Sequence, residues 1–435
     1  MKIGKKLIEI FLFYLCGFSY SQAQLVQDKN EDTNIITRKI KKPEKIKSGW
    51  NLIPLPVIGY NTDLGFQLGA ICTVYDFGKP SFYPNYKQKI FFVGSYFSKG
   101  SGVFRLTYDS KQIIKNYRLS GELNYIMEPY AGFRGYNGYE SPSLHKIDSK
   151  FYTFNRSQFK AFITFQGEII PHLNWGVGIS YFNYCIQTDL RDTNQSLFNL
   201  YKHYKIIKPE EAAGGNILGF NGSITYDTRD IESDPKKGMQ AELMVSIAPD
   251  FIDQQGHSFA KANLHFRHYI PLYKDKLTLA YHLAYQTTFL GESPYYEQSY
   301  LYCIIMNQNF SEGLGGVNSI RGVARNRAVG AGIAWGNVEL RYRFGYIRFL
   351  NQNWYFVVNP FFDAGMVVRK YRAKEIKESH SSQIYSGQTE YPHCSAGLGF
   401  KVIVNSNFVG SLEFGKALDK RDGVYSFSFG LNYIF

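Results

Sequence analysis

The stretch Val424-Tyr425-Ser426-Phe427-Ser428-Phe429-Gly430-Leu431-Asn432-Tyr433-Ile434-Phe435 decides the fold class of this chain. Large apolar side chains occupy every second position, and mostly small or polar residues stand between them. Because side chains of a β-strand alternate between its two faces, one face of this segment is apolar and the other is polar. The pattern predicts a strand that places one face against lipid and the other against a wetter interior.

The same alternation recurs upstream as far as Trp50, in segments of about ten residues separated by turns rich in Gly, Asn, Asp and Lys. A soluble sandwich would also alternate, but it would bury its aromatic residues, which make up 17% of this chain. The mean hydropathy of −0.27 does not suit a bundle of membrane helices. The sequence therefore predicts an all-β fold, a transmembrane antiparallel β-barrel.

Counting back from the end gives a topology for the predicted barrel. The spacing of strand and turn signals suggests about 16 strands, an even number as in bacterial barrels. A long polar segment, residues 369–393, and the short turn 405–407 predict long loops at one end and short turns at the other. The last five strands are predicted at residues 337–344, 354–368, 394–404, 408–418 and 424–435.

Three segments are distinguished along the chain. Residues 1–23 carry lysines, then an apolar stretch, then Ser21-Gln22-Ala23, which is typical of a cleaved signal peptide. Residues 24–48 are polar and basic and predict a solvated periplasmic tail, with contact to anionic lipid as the alternative. Residues 49–435 form the predicted outer-membrane barrel.

The sequence gives no sign of catalysis. The motifs HExxH, GxSxG and GxxxxGK[ST] are absent, and so is a GxGxxG loop after a strand. His265 and His268 lie three residues apart, so on a strand they point to opposite faces and do not predict a metal site. We expect no catalytic residue, no cofactor and no metal.

Two runs outside the alternation are specific. Tyr226-Asp227-Thr228-Arg229-Asp230, followed by Asp234-Pro235 and Gly238, predicts a turn in which Asp234 bonds its own backbone, Pro235 fixes a φ angle and Gly238 restarts the chain.

The second run is Gly315-Gly316-Val317-Asn318-Ser319-Ile320-Arg321-Gly322-Val323. Its glycines permit sharp backbone turns, and a planar guanidinium with five donors is suited to a buried carboxylate. We expect Arg321 to anchor the tip of a loop.

The first strand carries Pro54 and Pro56, two residues apart. In an extended strand both missing N–H groups fall on one edge. If that edge faces the last strand, the seam near Pro54 and Phe435 is poor in hydrogen-bond donors. Alternatively, both prolines precede the first hydrogen-bonded residue of the strand.

Together these runs resemble the BamA/TamA outer-membrane assembly superfamily, also called bacterial surface antigen barrels. The resemblance rests on the 226–238 turn with Asp227, Arg229, Asp230, Pro235 and Gly238, and on the loop that contains Arg321 and Gly322. It also rests on Asn337-Val338-Glu339-Leu340-Arg341, on Phe361-Phe362-Asp363-Ala364-Gly365 and on the terminal Phe435.

The resemblance implies a 16-stranded barrel whose sixth outer loop folds into the lumen. It implies that Arg321 pairs with acidic residues of the wall, with Asp363 as first candidate and Glu339 as second. A lumen-exposed arginine in a wet channel is the alternative. Two departures stand out: Val323 replaces an aromatic residue, and residues 24–48 are too few for one periplasmic POTRA domain.

The resemblance also implies a location in the outer membrane of a Gram-negative bacterium and a role in inserting or translocating proteins, through a weak seam between the first and last strands. A passive pore and a structural subunit of a larger complex are the alternatives. The expected partners are outer-membrane lipids, lipopolysaccharide and other outer-membrane or periplasmic proteins. The formal charge of +13 suits acidic lipid, and we expect no nucleic acid.

Overall fold

A computed structural model describes residues 46–61, 64–83, 85–111, 114–142, 149–187, 196–253, 256–303, 310–349 and 352–435. The predicted signal peptide and most of the 24–48 tail lie outside these ranges. Within residues 24–48, the structure describes Lys47, which is buried rather than solvated. The chain enters the first strand immediately afterwards.

Within these ranges, sixteen antiparallel strands close into a barrel in which each strand pairs with its sequence neighbours and the first meets the last. The predicted fold class and strand number are therefore confirmed. The strands are β1 (Trp50–Asn61), β2 (Gly65–Asp76), β3 (Gln88–Phe97), β4 (Gly102–Ser110), β5 (Tyr117–Gly132), β6 (Thr153–Ile170), β7 (Leu173–Gln187), β8 (Gly214–Asp227), β9 (Gly238–Ala248), β10 (Phe259–Tyr273), β11 (Leu277–Gly291), β14 (Gly332–Phe349), β15 (Gln352–Arg369), β16 (His393–Val404), β17 (Phe408–Ala417) and β18 (Ser426–Leu431).

The remaining elements are short and lie in the connections. Two-residue strands β12 (Tyr300–Leu301) and β13 (Phe310–Ser311) form a separate ribbon. The α-helices are Leu197–His203 and Ala373–Glu378, and the 3-10 turns are Pro80–Phe82, Gly138–Glu140, Ser149–Tyr152, Pro209–Glu211, Tyr295–Glu297 and Lys420–Asp422. Among the described residues, no helix combines the length and apolar character needed to cross a membrane.

The barrel is apolar outside and polar inside. On β10, for example, Leu264 is exposed on the outer surface, whereas its neighbours Asn263 and His265 are buried in the lumen. This is the distribution that a transmembrane barrel requires, because only the outward set meets hydrocarbon.

The two ends of the barrel differ. Gly332 pairs with Arg369, so the connections before β14 and after β15, residues 292–331 and 370–392, lie at the same end, here called the loop end. There, aromatic side chains of several loops pack together, including Phe133, Tyr201 and Tyr371. At the opposite turn end, connections such as 274–276 and 405–407 are short.

The last predicted strand is too long. β18 ends at Leu431, and Asn432 takes a φ of 67°, which interrupts the extended backbone. Tyr425, Phe427 and Leu431 are exposed on the outer surface as the alternation predicts, but Tyr433 and Phe435 are buried in the barrel. The alternation therefore stops at residue 431, because the left-handed residue Asn432 turns the three residues that follow it into the lumen. Residues 432–435 are here called the tail.

Candidate functional site: the Arg321 anchor and the β1–β18 seam

Arg321 lies inside the barrel, with about 1% of its surface exposed. Its Nε and Nη2 donate to the two carboxylate oxygens of Asp363 on β15, each at 2.8 Å. The backbone N–H of Arg321 donates to the same carboxylate at 3.0 Å. Asp363 therefore fixes the direction of the side chain and also the position of the loop backbone.

Two more carboxylates complete the site. Arg321 Nη1 donates to Glu339 Oε1 on β14 at 2.6 Å and to Glu413 Oε2 on β17 at 3.4 Å. Burial alone would lower the pKa of Arg321, but Asp363, Glu413 and Glu339 hold it well above its ordinary value, so the guanidinium stays charged. We call Arg321 and these three acids the anchor.

The guanidinium also stacks on an aromatic ring. Its central carbon lies 3.5 Å from the ring centroid of Phe361, two residues before Asp363 on the same lumen-facing side of β15. Two of the anchor carboxylates have a second cationic partner. Lys401 pairs with Glu413, and Arg341 Nε donates to Glu339 Oε2 at 2.8 Å. Glu339 and Glu413 are thus each shared between two cations.

Glycine is required next to Arg321. Gly322 has a φ of +97°, and a Cβ built there would lie 2.7 Å from the backbone N of Lys416 on β17. Gly415 faces it, and a Cβ at Gly415 would lie 2.8 Å from the carbonyl carbon of Arg321. The loop tip and β17 therefore meet backbone to backbone.

The neck of the loop is closed by polar and apolar contacts. Ser319 Oγ accepts from the Gly315 backbone N–H at 3.0 Å, and Asn337 Nδ2 donates to the Ser319 carbonyl at 2.7 Å. Val323, where the resembling family has an aromatic residue, is 2% exposed and packs in an apolar cluster with Ile320 and Trp335.

Sequence reasoning named Asp363 and Glu339 and missed Glu413. The available signal was a single carboxylate at an inward position of β17, between Ser411 and Gly415. It could not be weighted, because several lumen-facing strands carry such a carboxylate and only the register between distant strands decides which one meets Arg321.

The seam between β1 and β18 is the weakest joint of the described barrel. β1 pairs with β2 at twelve positions, from Trp50 to Asn61, but with β18 only through Asn61 and Ser428. β17 and β18 are joined at six positions.

Both prolines of the predicted seam lie within β1. Pro54 pairs with Cys72 and Pro56 with Ala70 in an unbroken register with β2. In an antiparallel ladder alternate residues direct their N–H groups to opposite neighbours. The unbroken register fits prolines whose missing N–H groups point away from β2, toward β18.

The structure corrects the assignment of Phe435 to the seam. Its ring stacks with His282 at a centroid distance of 5.4 Å and lies 6.4 Å from Tyr269, both inside the barrel. The reason is the turn at Asn432, which removes the tail from the edge of β1.

The turn after β8 is built differently from the prediction. Asp230 caps the turn, since its Oδ1 accepts from the Lys236 and Ile231 backbones at 3.0 Å each, while Arg229 is paired with Asp227. Asp234 forms an ion pair with Arg343 of β14 instead of bonding its own backbone.

Gly238, at the end of this turn, has a φ of +96°, and a Cβ there would lie 2.2 Å from the Thr228 carbonyl oxygen. Pro235 is buried next to Asp234. The requirement for glycine is thus set by the close approach of the two ends of the turn.

Residues 228–237, here called the strap, cross the turn end of the lumen. Glu232 pairs with Lys111 at 3.0 Å and with Arg118 at 3.2 Å, and Ser233 Oγ donates to the Ser406 carbonyl at 2.7 Å. A cavity of about 450 Å³ lies beneath the strap, with Arg118, Glu232 and the tail residues Tyr433 and Phe435 among its lining residues.

Residues 97–435 match the Omp85 superfamily domain. The chain belongs to the Omp85 superfamily. The predicted membership in the BamA/TamA assembly superfamily is therefore confirmed. No curated protein matches the chain.

Solved structures of the Omp85 superfamily share the fold. BamA from Haemophilus ducreyi lacking POTRA domains 1–3 aligns with a TM-score of 0.53 and 16% identity, over 89% of this chain and 71% of that one. CdiB from Escherichia coli aligns with a TM-score of 0.51 and 10% identity, over 86% and 62%. This chain thus spans about three fifths of that CdiB.

Assembly and translocation barrels of the Gram-negative outer membrane belong to the Omp85 superfamily. One cluster of this Omp85 barrel offers metal-binding atoms: Glu242, His265 and Cys303 place theirs within 4.8 Å of one another. The guanidinium of Arg267 lies among them, with Nη2 at 3.2 Å from Cys303 Sγ and Nη1 at 3.7 Å from Glu242. A cationic side chain therefore already supplies the positive charge at this place.

Proposed function

We propose that this protein is an outer-membrane barrel that aids the insertion or translocation of other proteins by parting β1 from β18. The observation that carries the proposal is the single register pair, Asn61 with Ser428, at the seam. A joint with a single register pair opens at lower free-energy cost than one with six or more.

The chemistry of β1 supports the same function. Pro54 and Pro56 offer no N–H to a neighbour on the seam side, so further pairing with β18 would gain fewer hydrogen bonds than an ordinary ladder. The Omp85 membership and the likeness to BamA supply the class of activity. The proposed location is the outer membrane, with lipid, lipopolysaccharide and other envelope proteins as partners.

The anchor complements the seam. It holds the 315–323 loop against β14, β15 and β17, next to the last strand, through five hydrogen bonds from Arg321. We propose that this keeps the wall near β18 in shape while the seam opens.

A passive pore is less consistent with the described residues. Side chains of the loop-end cluster, including Phe133, Tyr136, Tyr201, Tyr295 and Tyr371, pack over that end of the lumen. The strap crosses the other end. Water and ions therefore meet a packed interior in this state.

The test is a reversible lock on the seam. A Cβ built on Gly59 would lie 3.5 Å from the Cβ of Phe429, a separation that a disulfide can span. The variant Gly59→Cys with Phe429→Cys, in a chain with its other cysteines replaced, is reconstituted in liposomes with an unfolded test barrel. We expect oxidation to abolish acceleration of test-barrel folding and reduction to restore it.

The matched control is Val245→Cys with Ala262→Cys, a directly paired position between β9 and β10. Its oxidation should leave activity unchanged. Equal activity of the oxidised and reduced seam variant would refute opening at the seam. If the reduced protein never accelerates folding, the insertion function itself fails; steady ion conductance would then favour a pore, and its absence a structural subunit.

A further inference from the structure

One side chain touches both the anchor and the residues that follow the last strand. Arg341 on β14 is 4% exposed, and its Nε donates to Glu339, a member of the anchor. Its Nη2 donates to the backbone oxygen of Phe435 at 3.2 Å. Its guanidinium also lies over the rings of Tyr433 and Phe435, at 3.7 and 4.9 Å from their centroids.

The tail that Arg341 contacts has left the barrel wall. The Asn432 N–H still donates to the Val409 carbonyl of β17 at 2.7 Å, and the left-handed turn at Asn432 follows. Beyond it, Tyr433 and Phe435 are 6% and 4% exposed and pack inside the barrel. The tail is therefore docked on lumenal side chains.

An alternative position for the tail can be read from the register. Asn61 pairs with Ser428, so a β18 that stayed extended would place Tyr433 opposite Pro56, Ile434 opposite Leu55 and Phe435 opposite Pro54. In an antiparallel ladder, every second residue exchanges two backbone hydrogen bonds with the residue opposite. On the side of β1 that faces β18, Pro54 and Pro56 occupy these hydrogen-bonding positions, so the carbonyl groups of the tail would find no N–H donor there.

Two features thus favour the docked tail over a tail that continues β18 and pairs with β1, here called the zipped tail. The prolines weaken the zipped arrangement, and Arg341 stabilises the docked one through a charge-assisted hydrogen bond and two ring faces. The docked tail also leaves β1 from Trp50 to Ile58 without a partner from the last strand among the described residues.

We infer that Arg341 is a positioning residue of the seam: it latches the tail in the lumen and so keeps the edge of β1 open. Such an edge presents unpaired backbone groups that an extended segment of another polypeptide can bind by strand addition. The latch thereby deepens the proposed insertion function, and its role in that process rests on that function. Through Glu339, the same residue connects the seam to the Arg321 loop.

The latch is tested by a disulfide that reports the zipped tail. Leu55→Cys with Ile434→Cys places two thiols directly opposite only when the tail lies along β1. The full chain, with its other cysteines replaced, is folded in liposomes and oxidised mildly. We expect little disulfide with Arg341 present and a rise on the order of tenfold in the zipped-to-docked ratio with Arg341→Gln, the effect of losing a hydrogen bond to a charged group.

The matched control is Arg343→Gln, on the same strand two residues further along. Arg343 pairs with Asp234 of the strap, so its loss should leave the yield low. Arg341→Lys should give an intermediate yield, because lysine keeps the charge but not the planar fork. Equal yields in Arg341→Gln and Arg343→Gln would overturn the inference.

Folding of Arg341→Gln is checked by its heat-dependent mobility on a gel. If this variant does not fold, a second variant still tests the inference. Pro54→Val with Pro56→Val restores two N–H donors on β1, and it should raise the yield with Arg341 intact. An unchanged yield in this variant would also overturn the inference.

The disulfide readout does not depend on activity. A yield that responds to Arg341 in a protein that never accelerates test-barrel folding supports the latch and refutes the insertion function. An active protein whose yield ignores Arg341 refutes the latch alone.

Discussion

The Arg321 anchor and the β1–β18 seam lie close together in the barrel and are held in opposite ways. The anchor brings one guanidinium to three buried carboxylates with five hydrogen bonds, whereas the seam joins two strands at one pair of residues. β17 borders both, since it carries Glu413 and pairs with β18. The comparison indicates a barrel that is rigid beside its joint and weak at the joint itself.

The largest expected effect is loss of the anchor. Arg321→Ala leaves Asp363, Glu339 and Glu413 buried without their shared cation, which we expect to cost about 3–5 kcal/mol in the free energy of unfolding. Protease should then cut within residues 315–327. Arg421→Ala, which removes a half-exposed pair with Asp419, is the control and should cost at most about 1 kcal/mol. Unchanged cleavage and stability in Arg321→Ala would refute the anchor.

A smaller effect should follow from moving the loop without removing its charge. Gly322→Ala combines a left-handed φ with a contact of 2.7 Å to the β17 backbone, so we expect a loss of about 1–3 kcal/mol by urea unfolding. Gly222→Ala on β8, where a Cβ would meet nothing within 4 Å, should change stability by less than about 0.5 kcal/mol. Similar losses in the two variants would mean that the loop tip is not seated on β17.

The seam is probed by hydrogen exchange in the unmodified protein. The amide of Ile58 should exchange at least about tenfold faster than that of Leu412 on β17, because Ile58 has no register partner on β18. Equal protection at these positions would remove the contrast between the seam and the rest of the wall.

The smallest expected effect concerns Asp422. This residue attaches the loop that contains Arg321 to other side chains at the loop end of the barrel. This carboxylate accepts from Arg327 Nε at 3.1 Å and from Tyr139 Oη at 2.5 Å. Burial alone would raise the pKa of Asp422, but the hydrogen bond from His393 and the nearby positive charges lower it below its ordinary value.

The sign of the pH effect follows from that shift. A depressed folded-state pKa stabilises the protein above the unfolded value of about 3.9, and this contribution disappears as the pH falls through the folded-state pKa. The difference in unfolding free energy between the natural protein and Asp422→Asn should therefore shrink as the pH falls from 6 to 3. A constant difference would show that Asp422 does not titrate in this way.

The sequence was informative where a local rule applied. Alternation identified the strands from β14 to β17. β14 extends five residues beyond the prediction at each end. The reason is that lumenal Trp335 and outward Ile347 continue the alternation on either side of the predicted segment, with glycines between them and it. The Gly-flanked Arg321 and its partners Asp363 and Glu339 were named through a family resemblance.

The rest of the site could not be predicted from the sequence, because it depends on the register between strands that are distant in the chain. Glu413, Lys401 and Arg341 each lie on ordinary-looking inward positions, and nothing local marks them as neighbours of Arg321. Asp230 and Asp234 are both good turn residues, and only the approach of Arg343 from β14 decided which one caps the turn.

By itself, the sequence determined that each strand has one apolar and one polar face, because side chains of a strand alternate with a period of two, and its many aromatic residues favoured a barrel in lipid over a soluble sandwich. It also determined that β1 is poor in donors, because proline has no N–H in any fold. Only the tertiary structure decided that the last aromatic residues leave the wall. The alternation through Phe435 is uninterrupted in sequence, and the turn at Asn432 follows from contacts with Arg341, His282 and Tyr269 on strands far away in the chain.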